Sequence, residues 1–355
     1  MEAWDCSQEV KGPKAKSIIE EAAKGTYFTA RLFGFWPYET ENGCIMFNWR
    51  SRGSYLSLLN ITVLSAVVLI VSMNRNGIFS PLVKETKTSS TEATGQALLI
   101  FVKTATAFSL YVVAVTDRNR LISLWNNINR TTTLISYSSS IQASKCFKLR
   151  LYTIQNRGKL FMSFYFLLSL LQSLSDVWPL VPHMFNIMKL WRACLCSASL
   201  LWWNLVGNMY VAFAFMFVTF TKVLSSGFVT LTHQLKEMQL EQQLASMVST
   251  KKEISTRIAK KSILRVIKLG KQLEALSEEL NGKMKIPFVI ILVSTVINST
   301  IAIFFTALTI ERSQFTVNGL SLVLSCLLCM LPLKVLCSTG SELTSMVSFL
   351  RLVYL

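Results

Sequence analysis

Charge is scarce in this chain of 355 residues. Lys, Arg, Asp and Glu fill 15% of positions, where a soluble domain carries about 25%. Hydrophobic residues fill 52%. The length would allow two soluble domains, but the apolar residues collect into long runs instead of scattering at amphipathic spacing, so the chain reads as one polytopic unit. Histidine is nearly absent. His183 and His233 are the only two, and they are assigned to opposite membrane faces, which excludes a shared histidine site and leaves no nucleophile–base pair. The eight cysteines form no visible disulfide framework. Cys6, Cys44 and Cys146 fall on the side assigned to the cytosol, and Cys326, Cys329 and Cys337 lie within or at the end of a membrane run. Cys194 with Cys196, and Cys326 with Cys329, have no His or acidic neighbour and read as small apolar packing residues. Walker and dinucleotide-binding motifs are missing too. The reading is therefore of no enzyme, no catalytic residue, no metal and no cofactor. The first fifty residues carry Lys11, Lys14, Lys16, Lys24 and Arg31 without an early apolar core, so no cleaved leader is expected and the first hydrophobic run does the targeting.

What is present is a set of six apolar runs. A span needs about 20 residues to cross the hydrocarbon layer as a helix. Tyr55 to Met73, Gln96 to Val115, Leu160 to Leu180, Leu195 to Phe220, Ile286 to Leu308 and Phe315 to Leu336 each meet that need. The predicted fold class is an all-α, polytopic transmembrane helical bundle. Residues 1–54 form an amino-terminal region, 55–336 the helical domain and 337–355 a tail.

Orientation follows from where positive charge collects, because Lys- and Arg-rich loops resist translocation. The amino-terminal region holds seven basic residues, the loop between spans two and three eight, and the loop between spans four and five twelve. The other three loops hold three, two and one. That bias predicts both ends inside the cell. It also predicts that Asn60, Asn129 and Asn298 are unglycosylated despite their sequons, since they lie in spans or in an interior loop. The net charge of +17 sits in these loops, where anionic lipid headgroups meet it, so membrane lipid and not nucleic acid is the expected partner.

The loop over 221–285 carries two apolar stripes. Leu224, Phe228, Leu231, Leu235 and Met238 make one, and Val266, Leu269, Leu273, Leu276 and Leu280 make the other, each at alternating spacings of three and four. Lys251, Lys252, Lys260 and Lys261 lie between them, and Asn281-Gly282 with Pro287 punctuates the entry into span five. The pattern predicts a cytoplasmic helical hairpin extending spans four and five. Its stripes either pack on each other or serve as an anchor domain between subunits.

The segment Arg31-Leu32-Phe33-Gly34-Phe35-Trp36-Pro37-Tyr38 before the first span, the interior amino terminus, the long helical loop and the Leu280-Asn281 pair together resemble the arthropod gustatory receptors of the insect chemoreceptor superfamily. The likeness extends loosely over most of the chain. It implies a plasma-membrane gustatory receptor subunit that detects small-molecule tastants and resembles a ligand-gated nonselective cation channel, with a homo- or hetero-tetramer around one pore. It also implies a seventh span carrying a Thr-Tyr pair and a Gln-Phe pair. Here the sequence departs from the pattern, because Thr26-Tyr27, the only Thr-Tyr pair, precedes every span. The expectation is a chain truncated or spliced short of that helix, with a poreless family member as the alternative. An odorant receptor of the same superfamily is the nearest alternative. A secondary transporter also stays open, on six spans with an intramembrane Lys and Asp. Against it stand the lack of a three-span repeat and the position of the one expected helix break, Pro179 to Pro182, at a membrane edge.

The resemblance implies a ligand pocket open to the outside among spans two to six. Candidates at matching depth are Lys103 in span two, Gln172 and Asp176 in span three, Trp202 and Trp203 in span four, and Phe304 and Phe305 in span five. An ionisable group inside a span marks a functional site by default, and aromatic walls with a few polar groups suit a small molecule. Lys103 snorkelling or pairing with Asp176 is the competing reading. Adjacent tryptophans point to different faces of one helix, so at most one of Trp202 and Trp203 is expected to face the pocket.

Overall fold

The computed structural model describes residues 18–41, 44–73, 90–178, 181–187, 189–248, 252–311 and 317–354. In chain order the elements are α1 (Ile18–Leu32), β1 (Tyr38–Glu41), β2 (Cys44–Phe47), α2 (Arg52–Met73), α3 (Ser90–Thr116) and α4 (Arg118–Ser138). They continue with α5 (Ile141–Val177), α6 (Val181–Ile187), α7 (Leu190–Met209), α8 (Val211–Val248), α9 (Lys252–Glu311) and α10 (Val317–Tyr354). The protein is an all-α polytopic membrane bundle with one added two-stranded antiparallel hairpin, in which Tyr38 faces Phe47 and Glu41 faces Cys44. The six apolar runs fall on α2, α3, α5, α7 with α8, α9 and α10. Among the described residues four stretches are long and apolar enough to cross a membrane: 141–177, 197–243, 260–308 and 320–342. Phe101–Thr116 is a shorter apolar helix. Residues 179–180 and 312–316, at the ends of two expected spans, lie outside the described residues, as does the region before α1.

A helix that is apolar on every side has to be surrounded by protein or lipid. The stretch 197–243 takes the first course. Its most apolar window is 89% buried, against 39% to 44% for the other three. α8 is therefore the central post, and α1, α5, α9 and α10 all pack against it. The other helices turn residues such as Leu160, Phe164, Val293 and Leu327 outward, as lipid-facing surface requires.

The two stripes of 221–285 are buried within the chain. Leu224, Phe228 and Leu231 on α8 and Val266, Leu273 and Leu280 on α9 are all shielded, and α4 packs against both helices. Gly227 leaves room for this meeting, since a Cβ there would lie 3.2 Å from Leu273 and 3.3 Å from Ile135 of α4. α4 itself was not foreseen. Its signal is the buried face Leu121, Leu124, Trp125, Ile128, Thr132 and Ile135, hidden in a segment whose basic charges suggested an open loop.

One expectation about a helix break needs correction, and one break was not foreseen. α9 runs unbroken for 60 residues through Asn281, Gly282 and Pro287. Packing of Leu280 and Met284 into the core outweighs the local propensity, and neighbouring helices help tolerate a proline in such a setting. The unforeseen break is in span four, at Tyr210, where the Phe213 amide donates to the Tyr210 carbonyl at 3.0 Å, the tighter spacing of a 3₁₀ turn.

The segment between α1 and α2 is threaded into the bundle. Gly34 has φ +74, and a Cβ there would lie 2.8 Å from the Ser57 backbone, so both conformation and space demand glycine. The Phe33 carbonyl accepts from Tyr111 Oη at 2.6 Å and Asn60 Nδ2 at 2.7 Å. Ser57 Oγ donates to the Gly34 carbonyl. Trp36, fully buried, meets Tyr38 edge-on at 4.8 Å and lies within 6.2 Å of Trp125, Phe213 and Phe220. Phe35 stacks on Tyr111 at 4.4 Å. Tyr27 donates to the Tyr38 carbonyl at 3.2 Å. Burial, opposed by the Thr40 hydrogen bond, raises the pKa of this hydroxyl above its ordinary value, which keeps it a donor.

Candidate functional site

Opposite this aromatic knot in character is a layer of polar side chains set inside the apolar spans. Residues on one face of a helix recur at three and four. On α5 that face presents Tyr165, Ser169, Gln172, Ser173 and Asp176. On α7 it presents Asn204 and Asn208, and on α10 Ser321, Ser325 and Cys329. These three helices pack together through α5, and their polar groups pair across the contacts. Asp176 accepts from Asn204 Nδ2 at 2.6 Å and from the Ser321 hydroxyl. Asn208 Nδ2 donates to Gln172 Oε1 at 2.8 Å, and Gln172 Nε2 donates to Ser325 Oγ. The Asp176 carboxylate and the Asn204, Asn208 and Gln172 amides, removed from water inside the bundle, thus regain partners, as burial requires.

The break at Tyr210 belongs to this layer. Tyr165 donates to the Asn208 carbonyl, at 3.3 Å, and to the Leu328 carbonyl, also at 3.3 Å. One hydroxyl therefore ties α5, the end of α7 and α10. The Tyr210 side chain turns toward Ser294, Thr295 and Asn298 of α9. α3 joins α9 through Thr106, which donates to Ser294 Oγ at 2.6 Å.

Lys103 enters from α3 and is buried, with 6% exposure. It packs across α7 at Gly207, where a Cβ would lie 3.6 Å from the lysine Cβ, an ordinary contact distance. Asp176 and Cys329 are close enough to act on its ammonium electrostatically. Among the described residues no ion pair joins Lys103 to Asp176, whose carboxylate is taken up by Asn204 and Ser321. Several buried atoms on α5, α7 and α9 have no hydrogen-bond partner among the described residues: Ser169 Oγ, Trp203 Nε1 and Asn298 Oδ1. Such groups are costly unless water or a ligand meets them.

Of the seven sequence candidates, Lys103, Gln172, Asp176 and Trp203 come together around α7. Trp202 turns the other way, as adjacent positions on a helix must. Its Nε1 donates to Asn60 Oδ1 at 3.2 Å and its ring stacks on Phe33 at 5.6 Å, so it belongs to the aromatic knot. Phe305 lies in a separate apolar cluster with Leu99 and Leu322, about two turns along α9 from Asn298. Phe304 meets Phe305 edge-on at 5.3 Å and is 53% exposed on the outside of the bundle. Sequence reading missed Asn204, Asn208, Ser321, Ser325 and Asn298. Their signal is polar residues four apart inside apolar runs, Asn204 with Asn208 and Ser321 with Ser325.

A sequence search finds no matching curated protein. The profile described as 7tm Chemosensory receptor matches residues 23–350, from α1 through nearly all of α10. A bundle of apolar helices around a polar interior layer, with that match spanning it, shows that the chain belongs to the 7tm chemosensory receptor family.

Proposed function

We propose that this chemoreceptor is a gustatory receptor subunit whose polar layer binds a small-molecule tastant, and that binding favours the open state of a ligand-gated nonselective cation channel. One observation carries the ligand site. Lys103 is buried against Gly207 of α7, and Trp203 Nε1 of α7 and Ser169 Oγ of α5 are buried with no hydrogen-bond partner among the described residues. A polar molecule with an apolar body would meet those atoms and recover the cost of burying them. The interrupted helix at Tyr210 supports coupling. The Asn208 carbonyl beside it accepts from Tyr165 of α5, and the Tyr210 ring faces α9, so a ligand altering this layer acts on three spans at once. A ligand shifts the channel only through its different affinity for the two states.

The charge bias of the loops supports an interior amino terminus, and the plasma membrane follows from the receptor reading. The segment Gly34 to Tyr38 favours the taste branch over the odorant branch by resemblance. A tetramer, homo- or heteromeric, follows from the channel reading.

The test is ligand-evoked current and ligand-induced thermal stabilisation across a tastant panel, with Lys103→Met beside the unmodified chain. We expect Lys103→Met to leave melting unchanged or raise it, since an unpaired buried cation is removed. The response to an active ligand should fall about tenfold, the loss of one charge-assisted hydrogen bond. An unchanged dose–response would remove Lys103 from the site. Uptake of a solute without current would favour a transporter.

A further inference from the structure

We infer that a second site, distinct from the polar layer, binds the phosphate headgroup of an anionic phospholipid in a cavity between α5, α8 and α10. The cavity encloses about 690 Å³, far more than the ~30 Å³ a water occupies and within the range of sites that hold organic molecules. Its lining changes character along its length. At one end are Arg150 and Arg157 of α5, Lys222 of α8 and Glu342 of α10. At the other are Phe161, Phe215 and Val335, with the two phenylalanine rings stacked at 4.2 Å.

The charge at the polar end does not cancel. Lys222 and Glu342 form an ion pair, and Glu342 also accepts from Ser225 Oγ at 3.3 Å. That leaves the two arginines as the net positive charge of the cavity. They stand seven residues apart on one face of α5, about 10 Å along the axis, a gap that two guanidinium groups can close on a single phosphate. Thr153, between them, adds a hydroxyl to the same lining.

The level of the cavity selects the source of that phosphate. α5 becomes apolar from Leu160 onward, α8 ceases to be apolar after Phe220, and α10 after Leu336. All three transitions occur in the cavity wall, so its basic end lies at headgroup depth and its aromatic end in the hydrocarbon. A free anion uses only the first. A phospholipid uses both, with its phosphate on the arginines and an acyl chain along Phe161 and Val335. Basic pockets between helices at this depth are a recognised physical solution for anionic lipid. This assignment is independent of the ligand in the polar layer.

The experiment is native mass spectrometry of the chain released from nanodiscs of phosphatidylcholine alone or mixed with phosphatidylserine, beside thermal melting with inorganic phosphate or with phosphatidylserine. The unmodified chain should retain phosphatidylserine over phosphatidylcholine and gain thermal stability from it, while phosphate alone gives no shift. Arg150→Gln with Arg157→Gln should cut phosphatidylserine retention roughly fivefold per charge removed. Val335→Trp, which fills the apolar end and leaves both arginines in place, should cut it as well. Equal retention of the two lipids by the unmodified chain overturns the proposal without reference to any variant. Stabilisation by phosphate equal to that by phosphatidylserine overturns the lipid in favour of a free anion. Full retention in Val335→Trp shows the acyl chain lies elsewhere and sinks the two-ended site.

Discussion

The aromatic knot around Trp36 and the polar layer around Lys103 are both buried where several helices meet, yet they are built on opposite rules. In the knot, rings fill the space and hydroxyls donate to backbone carbonyls: Tyr38 to Ala114, Tyr111 to Phe33 and Tyr27 to Tyr38. In the layer, Tyr165 ties to main-chain carbonyls, and the other amides and hydroxyls pair mainly with one another through Asp176 and Gln172. A carbonyl of the main chain cannot swing away, whereas a side-chain partner can be exchanged for a ligand at modest cost. The difference teaches which region holds the fold and which is free to respond.

The comparison breaks most visibly at Trp36. Trp36→Ala removes a fully buried indole in contact with four aromatic rings, and large-to-small changes of this kind cost about 3–5 kcal/mol. We expect loss of the monodisperse folded species in size-exclusion chromatography, with ligand binding lost alongside. Survival of the fold with a normal melting temperature would make the knot a decoration.

Asp176→Asn probes the layer and should cost less, about 1–2 kcal/mol, because the amide keeps the shape and one acceptor while losing the charge that Asn204 and Ser321 donate to. Its effect on ligand response should exceed its effect on melting. A variant that melts far below the unmodified chain yet responds normally would reverse the roles assigned to the two regions.

The fold class was legible because lipid imposes a coarse rule: backbone groups bond internally, so apolar runs become helices. The stripes over 224–238 and 266–280 were legible for the same reason, since period alone marks the buried face. The knot was legible only as a pattern of letters. Nothing in Phe33 to Tyr38 says that Gly34 must approach the Ser57 backbone, since that closeness arises from helices distant in sequence. Half of the polar layer escaped for a related reason. Asn204 and Ser325 are ordinary residues until α5 brings Asp176 and Gln172 against them, whereas Lys103 announces itself by its charge. The break at Tyr210 has no proline, and Gly207-Asn208 just ahead of it is the same kind of pair as Asn281-Gly282, which leaves α9 unbroken, so local chemistry could not tell the two apart.

Trp202 is the residue on which the two regions are most easily confused, because its neighbour Trp203 lies in the layer and sequence alone treats them as a pair. Trp202 is only partly buried, and its one polar link is the 3.2 Å bond to Asn60. Trp202→Phe keeps an aromatic face against Phe33 and deletes that bond, so the expected loss is about 1 kcal/mol, read as a small fall in melting temperature. Since Asn60 also holds the Phe33 carbonyl, the loosened contact passes into the knot, not into the layer. Ligand potency should therefore stay unchanged while Trp203→Phe, which removes a buried N–H that has no protein partner among the described residues, shifts potency with little effect on melting. If both variants alter potency equally, the helix face has been divided in the wrong place, and the knot and the layer form one continuous site.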